Sequence, residues 1–397
     1  MTAKYAARAT FLALLMVFPS AAAPIETNPA IPTGLGINIH FTQPKPGEME
    51  MIAAAGFTVV RMDFAWSATE RRRGEYDFAA YDHLLAACEA QHIRPYLILD
   101  YGNRLYDSGQ SPHTDEGRGA MAAWAAAAVS HFKRRGVIWE MWNEPNIGFW
   151  KPAPNVEDYV AMTKAVGAAI RKAGPEETFI GPASSTVDFK FLEPCLKAGL
   201  LEYWDAVSVH PYRQKAPETA AEDYRRLREV IAKYAPAGKA VPIVSGEWGY
   251  SSAWGKYDAD VQGKMLPREF LTNVMNGVPV SIWYDWHDDG PDPKEGEHHF
   301  GTVLNPYHEG RTPPYEPKPA YLAAKKLATE LGGYRFAKRI DVGNAAEDYV
   351  LAFSNGRNNA QKLAAWTTST HRHAVTVPGV ASPVTLTDAP QYLTPSR

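Results

Sequence analysis

The chain lacks most of the patterns that mark nucleotide-, nucleic-acid- or metal-dependent proteins. It has no run of basic residues and a net charge of −3, which argues against nucleic acid as a partner. No Gly-x-Gly-x-x-Gly follows an early strand, and neither His-Glu-x-x-His nor Gly-x-Ser-x-Gly occurs. Its two cysteines, Cys88 and Cys195, lie far apart in helical patterns. We therefore predict buried free thiols rather than a disulfide framework.

Long apolar runs are also missing, and the one near the N-terminus is short. Residues 10–18 are apolar but too few to span a bilayer. Lys4 and Arg8 precede this run, and the small residues 21–23 follow it. This pattern predicts a signal peptide over residues 1–23, hence a secreted or periplasmic protein with no stable membrane insertion after cleavage.

The remaining composition suits one large globular unit with a small appendage. Of 397 residues, 45% are hydrophobic and 21% charged, which allows a sizeable core. Short apolar strands alternate eight times with amphipathic helices, as in Tyr224, Leu227 and Ile231 at helical spacing. Near-continuous apolar strands are typical of sheets covered on both faces. The pattern predicts an α/β fold, a (β/α)8 TIM barrel over residues 24–333.

From about residue 334 the rhythm changes. Four apolar strand patterns, separated by Asn, Gly, Pro and Asp turns, follow one another with no helix between them. This predicts a small antiparallel β-domain, sandwich-like, over residues 334–397. So short a unit would pack on the barrel. A structural buttress is the favoured interpretation, and a carbohydrate-binding role is the alternative.

Polar residues follow many of the predicted barrel strands. In a barrel the carboxyl ends of all strands meet on one face, so these residues should share a pocket. Glu144 ends the fourth strand and Glu247 the seventh, each directly after a buried apolar run. The other polar residues delivered at strand ends include Asn38, His40, Arg61, Asp63, Asp100, Tyr101, Asn143, His210, Tyr212 and Asp285.

Glu144 and Glu247 form the pair of carboxylates that glycoside hydrolysis requires. One must be protonated to give a proton to the leaving oxygen, and the other must be ionised. Arg61 and Tyr212 are expected to stabilise an ionised Glu247. Glu144, with no evident cationic partner, is expected to hold the proton. Glu140 is expected to be a deeper acid, paired with Arg61 or a hydroxyl.

Tryptophan is plentiful near the strand ends, which suits the binding of flat sugar rings. The tryptophans within several residues of a strand's end are Trp66, Trp150, Trp248, Trp254, Trp283 and Trp286. We expect Trp283 and Trp286 to line the cleft. Metal chemistry is the competing interpretation, because histidines and an acidic loop after the eighth strand are available. Their spacing matches no metal motif, so no metal and no cofactor are predicted.

These motifs resemble those of a known group of enzymes. Asn143-Glu144-Pro145 with Glu247 on the seventh strand resembles clan GH-A, the large clan of retaining glycosidases. Residues 142–146 look most like glycoside hydrolase family 39, which includes β-xylosidases and enzymes that cut bacterial exopolysaccharides. Arg61 and His210-Pro211-Tyr212 look more like the cellulase-type family 5.

The resemblance implies a role for each matching residue. Glu144 would be the general acid/base and Glu247 the nucleophile. Asn143 would hold the 2-hydroxyl of the sugar, and Arg61 and Tyr212 would orient Glu247. His210 would line the site, and Trp286 would be a sugar platform. His40, at the end of the first strand, and His210 are predicted to bind substrate. The C-terminal unit is smaller than the sandwich typical of family-39 xylosidases, which counts against a plain xylosidase.

The sequence thus predicts a secreted retaining glycoside hydrolase whose partner is a β-linked poly- or oligosaccharide. A bacterial exopolysaccharide or a plant cell-wall glycan would fit. A transglycosylase on the same scaffold, or a non-catalytic carbohydrate-binding protein, is the alternative. The sugar, the linkage, endo or exo action and the oligomeric state are left open.

Overall fold

A computed structural model describes residues 24–356 and 361–396. The first ten strands are β1 (Leu35–Asn38), β2 (Val59–Ala65), β3 (Glu70–Arg72), β4 (Glu75–Tyr76), β5 (Arg94–Asp100), β6 (Ile138–Met141), β7 (Thr178–Ser185), β8 (Val207–His210), β9 (Ile243–Trp248) and β10 (Ser281–Trp283). Eight of them form a closed barrel in the order β1-β10-β9-β8-β7-β6-β5-β2, and every neighbouring pair is parallel. The predicted TIM barrel is confirmed.

Helices surround this barrel. They are α1 (Glu48–Ala54), α2 (Trp66–Thr69), α3 (Ala79–Ala90), α4 (Asp115–His131), α5 (Val156–Ala173), α6 (Phe189–Lys197), α7 (Ala220–Tyr234), α8 (Ala259–Met275) and α9 (Pro319–Leu331), with 3-10 turns at Asp107–Gly109, Leu200–Glu202, Pro217–Thr219 and Gly296–His299. Side-chain oxygens cap several helix starts: Asn155 accepts from Asp158 N, and Asp258 accepts from Val261 N. Such caps satisfy backbone N–H groups that the first turn leaves without partners.

Two layers of core hold the barrel together. The main cluster lies between strands and helices and includes Leu97, Trp139 and Val209. A separate cluster has the composition expected for the barrel interior. Seven barrel strands each contribute one or two residues, which lie in the strand or directly before it: Val59, Tyr96, Ile138, Ile180, Ala206, Val244, Val280 and Ile282. Successive side chains of a strand point to opposite faces, so each of these seven strands contributes residues to both clusters. That explains the near-continuous apolar sequence of these strands.

The structure differs from the predicted boundaries at two places. The eighth barrel strand ends at Trp283, whereas the apolar pattern extends to Trp286. After strand β2 the chain also forms helix α2 and the β3–β4 hairpin, neither of which was predicted. Both departures lie where the chain leaves the barrel at its carboxyl face, and loops there follow tertiary contacts rather than local pattern.

The C-terminal segment forms two antiparallel sheets. Its strands are β11 (Arg335–Ile340), β12 (Asp348–Ser354), β13 (Gln361–Thr367), β14 (His373–Val375), β15 (Val384–Leu386) and β16 (Gln391–Leu393). One sheet has the order β11-β12-β13-β16, and β14 pairs with β15. Strands β11 and β16 add to the four predicted from sequence.

This segment is joined to the barrel by a buried polar contact. Trp366 of β13 donates its indole N–H to Glu218 at 2.6 Å. Arg268 of α8 binds both carboxylate oxygens of the same Glu218, each at 2.8 Å. Trp366 also belongs to the barrel's main apolar cluster. The contact therefore fits the buttress interpretation, because the β-unit shares a core with the barrel.

The predicted signal peptide, residues 1–23, lies outside the described residues. Within residues 24–356 and 361–396, no helix combines the length and apolarity that a membrane crossing needs. Cys88 and Cys195 are both buried and unpaired, which confirms the prediction of free thiols.

Candidate active site

A cavity of about 450 Å³ opens among the carboxyl ends of the barrel strands and the loops that follow them. It is lined by Asn38, His40, Arg61, Asp63, Tyr101, Asn143, Glu144, Phe149, Ser185, Tyr212, Glu247, Trp254, Tyr284, Glu297 and Phe300. The two predicted catalytic carboxylates therefore face one pocket. Their strands, β6 and β9, are separated in the barrel by β7 and β8.

Glu144 is presented by an irregular turn directly after strand β6. The backbone is left-handed at Trp142 (φ 67°) and at Glu144 (φ 46°). Such conformations are costly for residues with a Cβ and persist where surrounding contacts hold them. Here the Glu144 N–H donates to the carbonyl of Ala183 at 3.0 Å. The turn leaves Glu144 only 7% exposed, with its carboxylate directed at the cavity.

Glu144 has a partner that the sequence did not reveal. His210 Nδ1 lies 3.0 Å from its Oε1, while Arg61 Nη2 lies 3.4 Å from His210 Nε2. A guanidinium can only donate, so Nε2 must accept and the ring proton belongs on Nδ1. His210 then donates to Glu144. The sequence does not reveal this contact, because only the closed barrel brings the ends of β6 and β8 together.

Glu247 lies on strand β9 and is held by two donors. Arg61 Nη1 lies 2.5 Å from its Oε2, and the Tyr212 hydroxyl donates to its Oε1 at 2.9 Å. Burial, and after it the charge of Glu247, raises the pKa of Tyr212 well above its ordinary value. The phenol therefore keeps its proton and acts as a donor. Each carboxylate oxygen of Glu247 therefore accepts from a fixed donor.

Arg61 connects the two halves of the site from below. It is 1% exposed and donates to Glu140, to Asn143 Oδ1 at 2.8 Å, and to Asn38 Oδ1 at 3.2 Å. Burial acts to lower its pKa, but the charges of Glu140 and Glu247 outweigh burial and raise the pKa well above the ordinary value. The guanidinium is therefore a fixed positive charge.

Glu140 occupies the deeper position expected for it. It is fully buried, lies 2.7 Å from Arg61 Nη2 and accepts hydrogen bonds from the hydroxyls of Tyr96 and Ser208. It does not line the cavity. It balances the charge of Arg61 rather than facing a ligand.

Asn143 is oriented on both sides of its amide. Its Oδ1 accepts from Arg61, and its Nδ2 donates to the Tyr101 hydroxyl at 2.9 Å. Asn143 faces the cavity next to Glu144. The amide is therefore held in one orientation, as a group that binds a sugar hydroxyl must be.

The two carboxylates are close together. One carboxylate oxygen of Glu144, one ring nitrogen of His210 and one carboxylate oxygen of Glu247 all lie within 4.8 Å of one another. Retaining glycosidases place their carboxyl groups about 5–5.5 Å apart, and inverting ones about 6.5–9.5 Å. An oxygen–oxygen approach within 4.8 Å is nearer to the spacing of the retaining class than to that of the inverting class.

Three predicted substrate residues do not line the cavity: His210, which is fully buried against Glu144, and the two tryptophans Trp283 and Trp286. Trp283 and Trp286 are each 1% exposed and do not line the cavity. Trp283 donates to the carbonyl of Phe300 at 3.2 Å, and Trp286 donates to Glu48 at 3.1 Å. The prediction was wrong for both tryptophans. Trp283, the last residue of β10, packs in the cluster between strands and helices, whereas Trp286 lies beyond the strand and packs on Tyr315. Tyr284 lines the cavity instead.

His40 lines the cavity as predicted for a substrate-binding residue, and its ring is paired with Asp285. The two lie 3.3 Å apart, with the His40 side chain 39% exposed. Burial acts to lower the pKa of His40, but Asp285 outweighs it and raises the pKa to about 9. The pair therefore favours the protonated form of His40, while burial raises the pKa of its partner Asp285 to about 7.

Two groups of side chains lie close enough together to hold a metal ion. One is His40, Asp285 and Asp289, and the other is Glu144, His210 and Glu247. A metal ligand must be a neutral imidazole, and the ion pair with Asp285 favours the protonated form of His40. In the second group the Nδ1 proton of His210 is directed at Glu144. Hydrogen bonding and ion pairing explain both groups.

Six cavity residues were not among the predicted site residues: Phe149, Ser185, Trp254, Tyr284, Glu297 and Phe300. Ser185 ends strand β7, and Trp254 and Tyr284 each follow a barrel strand closely, which was the only signal that the sequence carried for them. The others come from loops whose course depends on the folded barrel.

A barrel with two juxtaposed carboxylates at its carboxyl face, an arginine beneath them and an asparagine beside the acid defines a glycosidase of the retaining clan GH-A. The model of the cellulase family, glycosyl hydrolase family 5, matches residues 29–290. The chain belongs to this family.

The chain is also similar to enzymes named as family 39 glycoside hydrolases and to a curated β-xylosidase. A family 39 glycoside hydrolase from Bacteroides cellulosilyticus has 26% identity and a TM-score of 0.78, covering 91% of this chain and 81% of its own. A family 39 β-xylosidase from Caulobacter crescentus shares the fold at 23% identity and a TM-score of 0.63, covering 89% and 80%. A β-xylosidase from Geobacillus stearothermophilus is 28% identical over 174 residues, which is 38% of this chain and only 33% of that relative.

Proposed function

We propose that the protein hydrolyses β-linked oligo- or polysaccharides by double displacement, with Glu247 as nucleophile and Glu144 as general acid/base. The observation that carries this proposal is that two neighbouring carboxylates have different hydrogen-bond partners. One oxygen of each lies within 4.8 Å of the other. Glu247 is bound by a fixed cation, whereas Glu144 faces a neutral imidazole donor.

In the first step Glu247 attacks the anomeric carbon, and the bond to the leaving oxygen breaks. Glu144 gives its proton to that oxygen, so the leaving group departs as an alcohol. In the second step Glu144 takes a proton from water. The resulting hydroxide equivalent attacks the same carbon, which releases Glu247 and restores the proton on Glu144.

Arg61 and Tyr212 support both steps by holding Glu247. Their hydrogen bonds keep the nucleophile ionised and fix its direction. Asn143, held by Arg61 and Tyr101, is suited to bind the 2-hydroxyl of the sugar under attack. Hydrogen bonds at that hydroxyl strengthen in the transition state of glycoside cleavage.

For the substrate, we propose a β-linked glycan with xylose- or glucose-type units. Two similar proteins are named β-xylosidases, and the family model is that of cellulases. We further propose that residues 1–23 direct export, so that the enzyme acts outside the cytoplasm. N-terminal sequencing of the mature protein after expression in a bacterial host tests the cleavage.

Glu247→Ala and Glu144→Ala test the assignment of the carboxylates. Glu247→Ala should abolish turnover of aryl β-glycosides, and added azide should restore part of it with inverted product. Glu144→Ala should retain activity on substrates with good leaving groups and lose it on unactivated disaccharides, because only the latter need a proton. Product anomers are followed by NMR.

Two outcomes would contradict the proposal. Full activity in both variants would show that the carboxylates are misassigned. Inverted product from the unmodified protein would exclude double displacement. If added acceptor sugars capture most of the product, the enzyme is a transglycosylase using the same intermediate.

A further inference from the structure

Exposed apolar side chains concentrate next to the general acid. Large hydrophobic residues are rarely exposed in the described parts of the chain, and two that are, Ile147 (38%) and Phe149 (45%), lie in the turn that follows Glu144. Phe149 lines the catalytic cavity. An aromatic face kept in water at the mouth of a binding site is a candidate contact for a ligand.

Phe149 is held in place rather than free to move. Its ring stacks on Tyr101 with centroids 5.9 Å apart and an interplanar angle of 19°. Tyr101 in turn accepts a hydrogen bond from Asn143. The next residue, Trp150, is buried, and its ring centroid lies 5.0 Å from that of Trp142.

A second anchor fixes the other end of the same turn. Asn146 accepts from the backbone N–H of Ser185 at 2.8 Å and donates to the Ser185 carbonyl at 2.9 Å. The turn is thus tied to strand β7 on one side and to buried tryptophans on the other. A face held in this way loses little entropy when a ligand covers it.

The chemistry decides which part of a substrate this face meets. A general acid must lie beside the leaving oxygen, so the leaving group occupies the side of the cavity near Glu144. Phe149 is five residues further along the same turn and lies at the exposed rim. The sugar under attack lies deeper, among Asn143, Arg61 and Glu247.

We infer that Phe149 forms the binding site for the leaving group, and that this site takes a ring with a flat apolar face, a pyranose or an aryl group. The inference rests on the proposed function of Glu144. A phenyl ring has no hydrogen-bonding group, so it selects shape and an apolar face rather than a particular hydroxyl. The enzyme should therefore prefer glycosides with ring-shaped leaving groups over those with small ones.

The test compares two substrates that share a glycosyl group but differ in leaving group. One is a β-linked disaccharide, and the other is the glycosyl fluoride, whose leaving group is too small to reach Phe149. Phe149→Ala should lower kcat/KM for the disaccharide about 10-fold, the effect of losing one aromatic stacking contact. Turnover of the fluoride should change less than twofold.

Phe149→Tyr keeps the flat face and should restore disaccharide turnover, which separates stacking from a general disturbance of the turn. Leu322→Ala is the matched control, because Leu322 is 57% exposed and lies on helix α9, outside the cavity lining. It should leave both substrates unchanged.

Equal losses on the disaccharide and the fluoride would overturn the inference, because Phe149 would then be shaping the catalytic groups. Unchanged disaccharide turnover in Phe149→Ala would overturn it too. Failure of the unmodified protein to hydrolyse either substrate would instead refute the proposed function, and this inference with it.

Discussion

Replacing Arg61 by lysine or by methionine should show separately what its charge and its hydrogen-bonding geometry contribute. Arg61→Lys keeps a positive charge but exchanges a planar group with five donors for a compact ammonium. The guanidinium reaches Glu140, Glu247 and Asn143 at once. A lysine cannot bind all three with good geometry, so the nucleophile or the sugar-binding amide loses its support.

The size of the effect follows from these contacts. One hydrogen bond to a charged group contributes about 1.5–3 kcal/mol. If the bond to Glu247 acts in the transition state, its loss lowers kcat about 10- to 150-fold. Arg61→Met goes further, because it leaves Glu140 fully buried without a cation. Removing one partner of a buried ion pair costs about 3–5 kcal/mol.

Calorimetry and steady-state kinetics measure the two effects separately. For a chain of this length, a loss of 3–5 kcal/mol corresponds to a fall in Tm of about 4–6 °C. Adding Glu140→Gln to Arg61→Met should recover part of that stability, because the uncompensated charge is gone. It should not recover activity, because Glu247 still lacks its cation.

Two results would refute this reasoning. One is an Arg61→Lys variant with kcat within threefold of the parent, since the directed hydrogen bonds would then be dispensable. The other is a double variant no more stable than Arg61→Met, since Glu140 would then not be the source of the penalty.

Two further predictions concern stability away from the reacting groups. Burial, and after it the charge of Asp63, raises the pKa of Asp100 well above its ordinary value of 3.8. As pH rises, the unfolded chain therefore loses the Asp100 proton at a lower pH than the folded chain does. The free energy of unfolding falls once the pH exceeds the pKa of Asp100 in the unfolded chain. Asp100→Asn should match the parent near pH 4 in urea unfolding and exceed it increasingly toward pH 8; a pH-independent difference would contradict this. Arg268→Met should lower the unfolding free energy by about 3–5 kcal/mol with kcat unchanged, because it strips the cation from buried Glu218 outside the cavity. Lys264→Met, at an exposed pair, should cost less than about 1 kcal/mol, and equal losses would refute the role of burial.

The strand–helix alternation could be read from local pattern because burial on both faces demands near-continuous apolar residues. For the same reason Glu144 and Glu247 were recognisable as carboxylates at the ends of buried strands. The two tryptophans were misplaced for different reasons. Trp283, the last residue of β10, belongs to the apolar cluster between strands and helices, and β10 ends before Trp286, whose indole N–H donates to Glu48.

Loop residues were beyond reach for a different reason. Phe149, Trp254 and Glu297 enter the cavity from segments without a periodic pattern. Their positions depend on contacts between residues far apart in the chain, such as the anchoring of Asn146 by Ser185. No local signal encodes such contacts.

The sequence by itself determined the barrel, the two carboxylates and the reaction class, because these follow from hydrophobic periodicity and from the residues that end each strand. Tertiary structure alone decided that His210 donates to Glu144, that Tyr284 rather than Trp283 faces the cleft, and that Phe149 lines the same cavity as Glu144. Closure of the barrel is the physical reason. It brings the ends of β6, β8 and β9 within hydrogen-bond reach of one another, although these strands are separated by many residues in the chain.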